Sequence, residues 1–430
     1  MNEALLKVFQ QAYQDFNLLP LIEPEDIERF RVDYGREPLV RLKQEVNASA
    51  KAQKFVFTGH TGCGKSTLLK RFTVEMKPQH FTVFFSIADM IEPADITHRK
   101  ILYAIAVQLL HAATEKQIAI DDDIKENLLG WLDTTHKQKK EKSTKSEFGL
   151  GISNLLKFVT LKFQQEQAAR EEFERVFEKR VVDLVKYADR IAAAIQIATK
   201  KPVLVVIDDL DKLDLPLVES IYRNNIKVLF SPQFRIVFTI PISATQDPQV
   251  MGALTSEGIV RPALFPVSKF FAKSDCHKPE AAPIDKTVNI FLEVLKKRIP
   301  AACIDPGTAH QMVLKSGGVM RELVRLGREC CTECMVQLEL EPDRADLTIN
   351  DEILNVAVRN LRNDFARQIG TSLFPVLKQV YQTLNNKDTD SDAFVKLLHG
   401  LMVLEYQNDD LWYDVHPIVV DLLQRQGLLE

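Results

Sequence analysis

The sequence feature that most restricts how this chain can fold is the glycine-rich segment KFVFTGHTGCGKSTLLK at Lys54–Lys70. An apolar, β-prone run ends at Gly59, and an apolar helical pattern resumes at Leu68. The residues between them fit the pattern G-x-x-x-x-G-K-[ST], in which backbone N–H groups point inward at phosphate oxygens. The pattern therefore predicts a strand, a phosphate-binding loop and a helix, in that order.

Each residue type in this loop predicts a role. Glycines leave the backbone free to approach phosphate, and the N-terminus of the following helix adds a partial positive charge. Lys65 is expected to reach the β- and γ-phosphates, and the Ser66 hydroxyl to bind Mg²⁺. The predicted nucleotide-binding residues of the loop are Gly59, His60, Thr61, Gly62, Cys63, Gly64, Lys65, Ser66 and Thr67.

Length and composition limit the function classes. With 430 residues, the chain is long enough for two or three domains. A net charge of −4 gives no global basic bias, so nucleic-acid binding would need a local patch. The six cysteines are scattered, and no signal peptide or apolar run of about 20 residues is recognisable. These features predict a cytoplasmic protein without a membrane span.

A second landmark is the acidic end of an apolar, mostly β-branched run, VLVVIDDLDKLD. Such a run is typical of a strand buried on both faces of a parallel sheet. Asp208 is expected to hold Mg²⁺ through water, and Asp209 to orient or deprotonate the attacking water. Asp211 and Asp214 are interpreted as a capping or salt-bridge pair. Buried carboxylates need a cation or donors, and a metal–phosphate site supplies both.

Further runs predict more strands of the same sheet, at Phe81–Met90, Phe234–Ala244 and Ala263–Phe271. Parallel strands joined by helices predict an α/β, doubly wound parallel sheet, with the ligand at the carboxyl ends of the strands. Thr239 interrupts one run. It is interpreted either as a side chain that senses the γ-phosphate or as a threonine that binds backbone at a strand end.

The segment after the sheet carries two patterns of its own. Gly317–Gly318 precede a helix with Arg321 in its first turn, where the guanidinium could pair with a γ-phosphate or lie in solvent. Cys331 and Cys334 have CxxC spacing on the same helical pattern. Since no matching second pair exists, buried small residues are favoured over a zinc site.

Composition and periodicity divide the chain into four parts: an N-terminal helical arm (1–31), a P-loop core (32–283) with a helical insertion at about 112–200, a helical lid (284–349) and a winged-helix-like domain (350–430). Residues 165–199 predict one long helix. Lys137–Lys145 is interpreted as a solvated run, with a nucleic-acid or membrane-surface contact left open.

The last domain is expected to contain two alternating strands around a turn at Asn408–Asp410. This hairpin is acidic, with Glu405, Asp409, Asp410 and Asp414, and acidic groups oppose phosphate. A protein contact or an autoinhibitory role is therefore favoured over DNA binding.

In this order, the segments GREPLVRLKQEV, GHTGCGKST, VLVVIDDLDKLD, IVFTIPI and GGVMREL resemble the STAND and initiator/loader-like branch of AAA+ P-loop ATPases, over residues 32–430. The resemblance implies ATP and Mg²⁺ as ligands and places Gly35 and Arg36 near the base. It implies Thr239 as sensor 1 and Arg321 as sensor 2. Asp209 stands where the family typically has glutamate, and the shorter side chain fits slow hydrolysis.

The favoured hypothesis is an ATP-driven switch that hydrolyses ATP slowly and controls a protein effector or sensor partner in signalling or defence, with ATP-dependent homo-oligomerisation as an option. The alternative is a DNA-binding AAA+ ATPase of the loader or transposition-regulator kind. A nucleotide-binding scaffold without turnover is a third option. No arginine finger is evident in the sequence, and Arg235 is the one candidate considered for that role.

Overall fold

The computed structural model describes residues 3–134, 155–165, 167–178, 180–342, 344, 346–387, 389–407 and 410–429. The lysine-rich run Lys137–Lys145 and the first two residues of the predicted hairpin turn lie outside these residues. The chain forms two compact units. The sheet unit comprises residues 37–58 and 68–264, and the loop unit comprises residues 1–36, 59–67 and 265–430. The predicted four-part division stays a prediction.

The strands are β1 (Lys54–Gly59), β2 (Phe81–Ser86), β3 (Val203–Asp208), β4 (Arg235–Pro241), β5 (Ala263–Leu264), β6 (Val403–Gln407) and β7 (Leu411–Val415). The helices are α1 (Glu3–Asp15), α2 (Pro24–Phe30), α3 (Arg36–Ala48), α4 (Lys65–Met76), α5 (His98–Glu115), α6 (Asp122–Thr134), α7 (Leu155–Gln165), α8 (Gln167–Phe177), α9 (Val181–Thr199), α10 (Leu215–Val218), α11 (Ile226–Leu229), α12 (Pro248–Ser256), α13 (Asp285–Lys296), α14 (Pro306–Lys315), α15 (Met320–Leu340), α16 (Asp351–Gln368), α17 (Phe374–Thr383), α18 (Ser391–His399) and α19 (Pro417–Arg425). In the part of the chain that the structure describes, no helix has the length and apolar character needed to cross a membrane.

A five-stranded sheet with the order β2-β3-β4-β1-β5 is the centre of the sheet unit. Strand β1 pairs in parallel with β5, and β3 pairs in parallel with both β2 and β4. All residues of β3 and β4 are buried, which explains their nearly continuous apolar sequence. This confirms the predicted fold class, an α/β domain built on a parallel sheet.

Three predicted elements differ in extent from the structure. Strand β5 stops after two residues, because Pro266 has no N–H to continue the ladder. Strand β2 ends at Ser86, where the chain turns into a short 3₁₀ segment. The single helix predicted over residues 165–199 is two helices, since Arg180 has the non-helical torsions φ −119° and ψ 20°.

Helix α5 is buried along most of its length and packs against α9, so the predicted insertion contributes to the core of the sheet unit. Its Tyr103 lies among three phenylalanine rings. The ring centroids of Phe163, Phe173 and Phe177 are 5.7, 5.2 and 5.8 Å away. Edge-to-face aromatic contacts of this kind add to the free energy of burial.

In the loop unit, α1 packs along α15, so the predicted N-terminal arm is part of a larger helical body. A Cβ atom on Gly327 of α15 would lie 2.5 Å from the Phe16 ring, which shows how closely the two segments approach. The C-terminal part has helices α17 and α18, the antiparallel hairpin β6–β7 and helix α19, a winged-helix-like order.

Candidate functional site

The glycine-rich loop leads from the end of β1 into α4, which begins at Lys65. Gly62 and Gly64 have φ values of +85° and +98°, a region that residues with a side chain rarely adopt. The Lys65 ammonium lies inside the loop, where Nζ donates to the carbonyl oxygens of Gly59 and His60 at 2.8 and 2.7 Å. The side chain is only 4% exposed. This loop therefore holds a positive charge within a ring of backbone groups.

His60 connects the loop to the hairpin of the same unit. Its Nε2 accepts a hydrogen bond from the backbone N–H of Glu405 in β6, at 2.8 Å. Burial, together with the neighbouring Lys65 and His416, lowers the pKa of His60 to about 3. The imidazole is therefore neutral, and Nδ1 carries the proton. Among the described residues this buried Nδ1 has no hydrogen-bond partner, so a phosphate oxygen is a suitable acceptor for it.

The first turn of α15 also meets the loop. The backbone N–H of Arg321 donates to the Gly62 carbonyl oxygen at 2.9 Å. A Cβ atom on Gly62 would lie 2.7 Å from the Arg321 Cβ, so only glycine fits there. The structure thus brings this arginine to the phosphate-binding loop. A contact between its guanidinium and the γ-phosphate stays a prediction.

The residues predicted near the base lie just before α3. Gly35 has a φ of +72°, and the exposed Arg36 begins the helix. The preceding Tyr34 is half-buried with its hydroxyl oxygen shielded from solvent, and its ring centroid lies 5.2 Å from that of Phe265. Burial raises the pKa of the Tyr34 hydroxyl. A contact of Gly35 and Arg36 with a base stays a prediction.

An acidic cluster follows β3 in the sheet unit. Carboxylate oxygens of Asp208, Asp209 and Asp211 lie within 4.8 Å of one another. Asp211 therefore belongs to this cluster, and its interpretation as half of a capping or salt-bridge pair with Asp214 stays a prediction. Three carboxylates this close fit a divalent cation with oxygen ligands. The prediction that Ser66 and Asp208 share one Mg²⁺ draws on both units and stays a prediction.

Asp209 is held in a fixed position within this cluster. It has a left-handed backbone, with φ +69°, which is uncommon for residues other than glycine. Its Oδ2 accepts from the Ser86 hydroxyl at 2.7 Å, and its Oδ1 pairs with Lys212 Nζ at 2.6 Å. Two partners and a strained backbone are typical of a positioned functional group.

Thr239 lies on β4, between β3 and β1, and is fully buried. Its hydroxyl accepts from the backbone N–H of Leu210 at 3.0 Å and donates to the Ile207 carbonyl at 3.3 Å. These bonds match the second interpretation from the sequence, a threonine that binds backbone at a strand end. They brace the turn that carries the acidic cluster. Sensing of a γ-phosphate by Thr239 stays a prediction.

The structure also shows what surrounds the arginine-finger candidate Arg235 and the cysteines with CxxC spacing. Arg235 donates to the hydroxyl and carbonyl oxygens of Ser49 at 2.9 and 2.7 Å, so its guanidinium is already bound within its own unit. Cys331 and Cys334 are fully buried on α15, and burial raises the pKa of both thiols. Neither cysteine belongs to a metal-ligating group among the described residues.

The hairpin contact gives a pH prediction. Burial raises the pKa of Glu405 to about 7, although a hydrogen bond from Tyr413 opposes this. A carboxyl group whose pKa is raised in the folded state stabilises the fold fully at pH values below its pKa in the unfolded state. This stabilisation is lost as the pH rises through 7. Glu405→Gln is therefore expected to raise the free energy of unfolding by about 3 kcal/mol at pH 8, with little change at pH 5. Urea denaturation at both pH values measures this.

The control is Asp410→Asn, which neutralises an exposed carboxyl group on the same hairpin. A gain for Glu405→Gln that is equal at the two pH values would contradict the burial explanation, because a packing effect does not titrate.

Comparison with known proteins agrees with the loop and sheet. The sequence model of the ABC transporter family matches residues 44–182, about a third of the chain, including the phosphate-binding loop. No curated protein matches the chain. The loop between β1 and α4, the parallel sheet and this match together identify a P-loop NTPase fold.

Two solved structures are similar over nearly the whole chain. One is Cdc6p from Pyrobaculum aerophilum, at 12% identity and a TM-score of 0.41, covering 97% of this chain and 98% of that one. The other is the Aeropyrum pernix Orc1 protein in complex with DNA, at 12% identity and a TM-score of 0.40, covering 95% and 97%. Both TM-scores lie below 0.5, so neither similarity assigns a fold or function to this chain.

Proposed function

We propose that this chain is an ATP-binding molecular switch of the STAND/AAA+ type, which hydrolyses ATP slowly and controls a partner protein. The observation that carries the proposal is the direct bonding between the phosphate-binding loop and the C-terminal elements of the same unit. His60 accepts from the Glu405 amide of β6, and Gly62 accepts from the Arg321 amide of α15. A change in the loop therefore changes the partners of the hairpin and of the helix.

Binding of the triphosphate begins with this loop. Lys65 exchanges its carbonyl partners for the β- and γ-phosphate oxygens, and the loop amides and the N-terminus of α4 bind the remaining oxygens. His60 Nδ1–H donates to an oxygen of the same ligand. This draws the imidazole away from the Glu405 amide and frees β6. Binding of the triphosphate thus changes the hydrogen bonding of the hairpin directly, through His60.

Hydrolysis depends on the acidic cluster. Ser66 and Asp208 are the residues proposed to hold Mg²⁺, which would neutralise phosphate charge. Asp209 accepts a proton from the attacking water, a P–O bond forms at the γ-phosphorus, and the bond to the β–γ bridging oxygen breaks. The bonds from Ser86 and Lys212 to Asp209 orient that carboxylate. An aspartate that already has two partners supports slow turnover.

The partner is proposed to be a protein effector or sensor. The alternative, a DNA-binding ATPase, relied on the hairpin as a wing and on the run Lys137–Lys145, and this run lies outside the described residues. On the described hairpin, the exposed Asp410 and the partly exposed Asp414 would repel phosphate. Assembly into an ATP-dependent homo-oligomer and a cytoplasmic location remain part of the proposal.

The Asp209→Asn variant tests the switch. The asparagine keeps an oxygen for Ser86 but cannot take a proton from water. We expect ATP affinity within a few-fold of the parent and turnover reduced at least about 100-fold. With ATP present, hydrogen exchange of the β6 amides should rise and stay high in the variant. In the parent it should return to the ADP pattern as ATP is consumed.

The matched control is Asp214→Asn, which removes an exposed carboxylate just beyond the acidic cluster. It should hydrolyse ATP and exchange like the parent. Identical exchange of β6 with ATP, with ADP and without nucleotide would refute the switch. Unchanged turnover in Asp209→Asn would refute only the catalytic assignment and move that role to Asp211.

A further inference from the structure

A cavity of about 360 Å³ lies in the loop unit, away from the phosphate-binding loop. Its walls come from the segment after β5, from the end of α14 with Gly317, from α17 and from the hairpin β6–β7. Tyr406 and Trp412 stack in one wall, with ring centroids 4.6 Å apart. The same cavity is bordered by three potential metal ligands, which the proposed function does not use.

These ligands are Cys276, His277 and Asp414. One ligand atom from each lies within 4.8 Å of the others. His277 Nε2 is 3.0 Å from both carboxylate oxygens of Asp414. Two ligands about 2.0–2.1 Å from a tetrahedral ion lie about 3.3 Å apart, so this pair is already at ligand spacing. The His277 and Asp414 side chains are 28% and 15% exposed, which leaves a path for an ion.

The groups around the ligands fix their orientation. The His277 ring stacks on Tyr381, with centroids 3.9 Å apart and planes 17° from parallel. Asp414 Oδ1 also accepts from the Val415 N–H at 2.7 Å. The Cys276 thiol donates to the Lys273 carbonyl at 3.4 Å. Supporting contacts of this kind set the geometry and affinity of metal ligands.

The donor set points to one class of ion. Thiolate, imidazole and carboxylate together suit Zn²⁺ and its chemical substitutes, and are a poor set for Mg²⁺ or Ca²⁺. A thiolate and a carboxylate also neutralise a divalent charge. Lys269, Lys278 and Lys315 border the same cavity and oppose a cation, although Lys278 pairs with Asp275 at 2.7 Å.

We propose that Cys276, His277 and Asp414 bind one divalent ion of the zinc class, with the fourth coordination position open to the cavity. Three protein ligands and an open position are the arrangement of zinc sites that bind a further small ligand. The ion would link the segment after β5 to strand β7. An ordinary His277–Asp414 ion pair is the competing explanation. The proposal does not depend on the nucleotide function, because binding is measured without nucleotide.

The test is titration of the full-length, reduced and chelator-treated protein with Co²⁺, a spectroscopic substitute for Zn²⁺. We expect one equivalent to bind, with a thiolate-to-cobalt absorption band, and to be displaced by Zn²⁺. Cys276→Ser should abolish the band, and His277→Ala should weaken Co²⁺ binding by more than about 100-fold. Asp414→Asn should weaken binding as well.

The matched control is Cys334→Ser, because Cys334 lies outside the ligand cluster but has CxxC spacing with Cys331. It should leave the band and the stoichiometry unchanged. Absence of a band in the folded parent protein would overturn the proposal. So would a band that survives Cys276→Ser, or a Co²⁺ affinity that His277→Ala leaves unchanged.

Discussion

Replacing Lys65 with alanine is expected to lower the affinity for ATP by at least about 100-fold and to remove the preference for ATP over ADP. In the structure, this ammonium group lies within the loop and donates to two carbonyl oxygens. It is proposed to exchange those partners for the β- and γ-phosphates. Hydrogen bonds to charged groups contribute about 1.5–3 kcal/mol each, and 1.4 kcal/mol is a tenfold change in affinity. Isothermal titration calorimetry with a non-hydrolysable ATP analogue and with ADP measures both quantities.

The control is Lys70→Ala, which removes the same charge from the same helix. Lys70 Nζ lies 5.0 Å from the centroid of the Phe84 ring, a contact within the sheet unit. The affinity of the Lys70→Ala variant for the ATP analogue should stay within about threefold of the parent, because a charge outside the phosphate-binding loop is screened by solvent and salt. Thermal unfolding of both variants separates lost binding from lost folding. Unchanged ATP affinity in a folded Lys65→Ala protein would refute the phosphate assignment.

The sheet could be predicted because its sequence signals are local. Strands β1, β3 and β4 are mostly apolar runs, and every residue in each of them is buried, as expected for inner strands of a parallel sheet. The loop between β1 and α4 is specified by its glycines. Packing between distant segments left no such signal. The contact of α1 with α15 joins residues that are more than 300 positions apart. The periodicity of each helix indicates which face is buried, but not which other element covers that face.

The candidate site shows the same division. The sequence predicted Asp208 and Asp209 from their place after a buried strand. Asp211 was assigned elsewhere because spacing does not show that the turn after β3 folds it back to the cluster. The bond between His60 and Glu405 joins residues 345 positions apart. A histidine inside the loop pattern was the only signal for it, and that position of the pattern accepts any residue.

The ligand cluster around Asp414 was missed for another reason. Cys276 and His277 are adjacent and have no CxxC or HxxxH spacing, and the third ligand comes from a strand 137 positions away. Sequence spacing finds ligands that share one helix or one turn, whereas this cluster depends on how the hairpin packs. Only the folded unit brings the three side chains together.

Gly318→Ala is expected to destabilise the loop unit by about 4 kcal/mol or more, or to prevent it from folding. A Cβ atom at this position would lie 1.7 Å from the Ser268 carbonyl oxygen, which is backbone and cannot rotate away. The residue also has a φ of +80°. A left-handed conformation costs about 1–3 kcal/mol without glycine, and overpacking costs about 1–3 kcal/mol more. Urea denaturation followed by tryptophan fluorescence measures the loss, since Trp412 is buried in this unit.

Gly307→Ala is the matched control, because a Cβ atom on that residue of α14 meets no atom within 4 Å. It should be neutral or stabilising by up to about 1 kcal/mol. The loss of stability caused by Gly317→Ala should lie between the losses caused by the other two substitutions, since its Cβ would meet the side chains of Leu404 and Pro417 at 2.9 Å. If Gly318→Ala were the least destabilising of the three substitutions, the close approach of Gly318 to the Ser268 carbonyl oxygen would be contradicted. The glycine at position 318 would then not be required by its packing against the Ser268 carbonyl group.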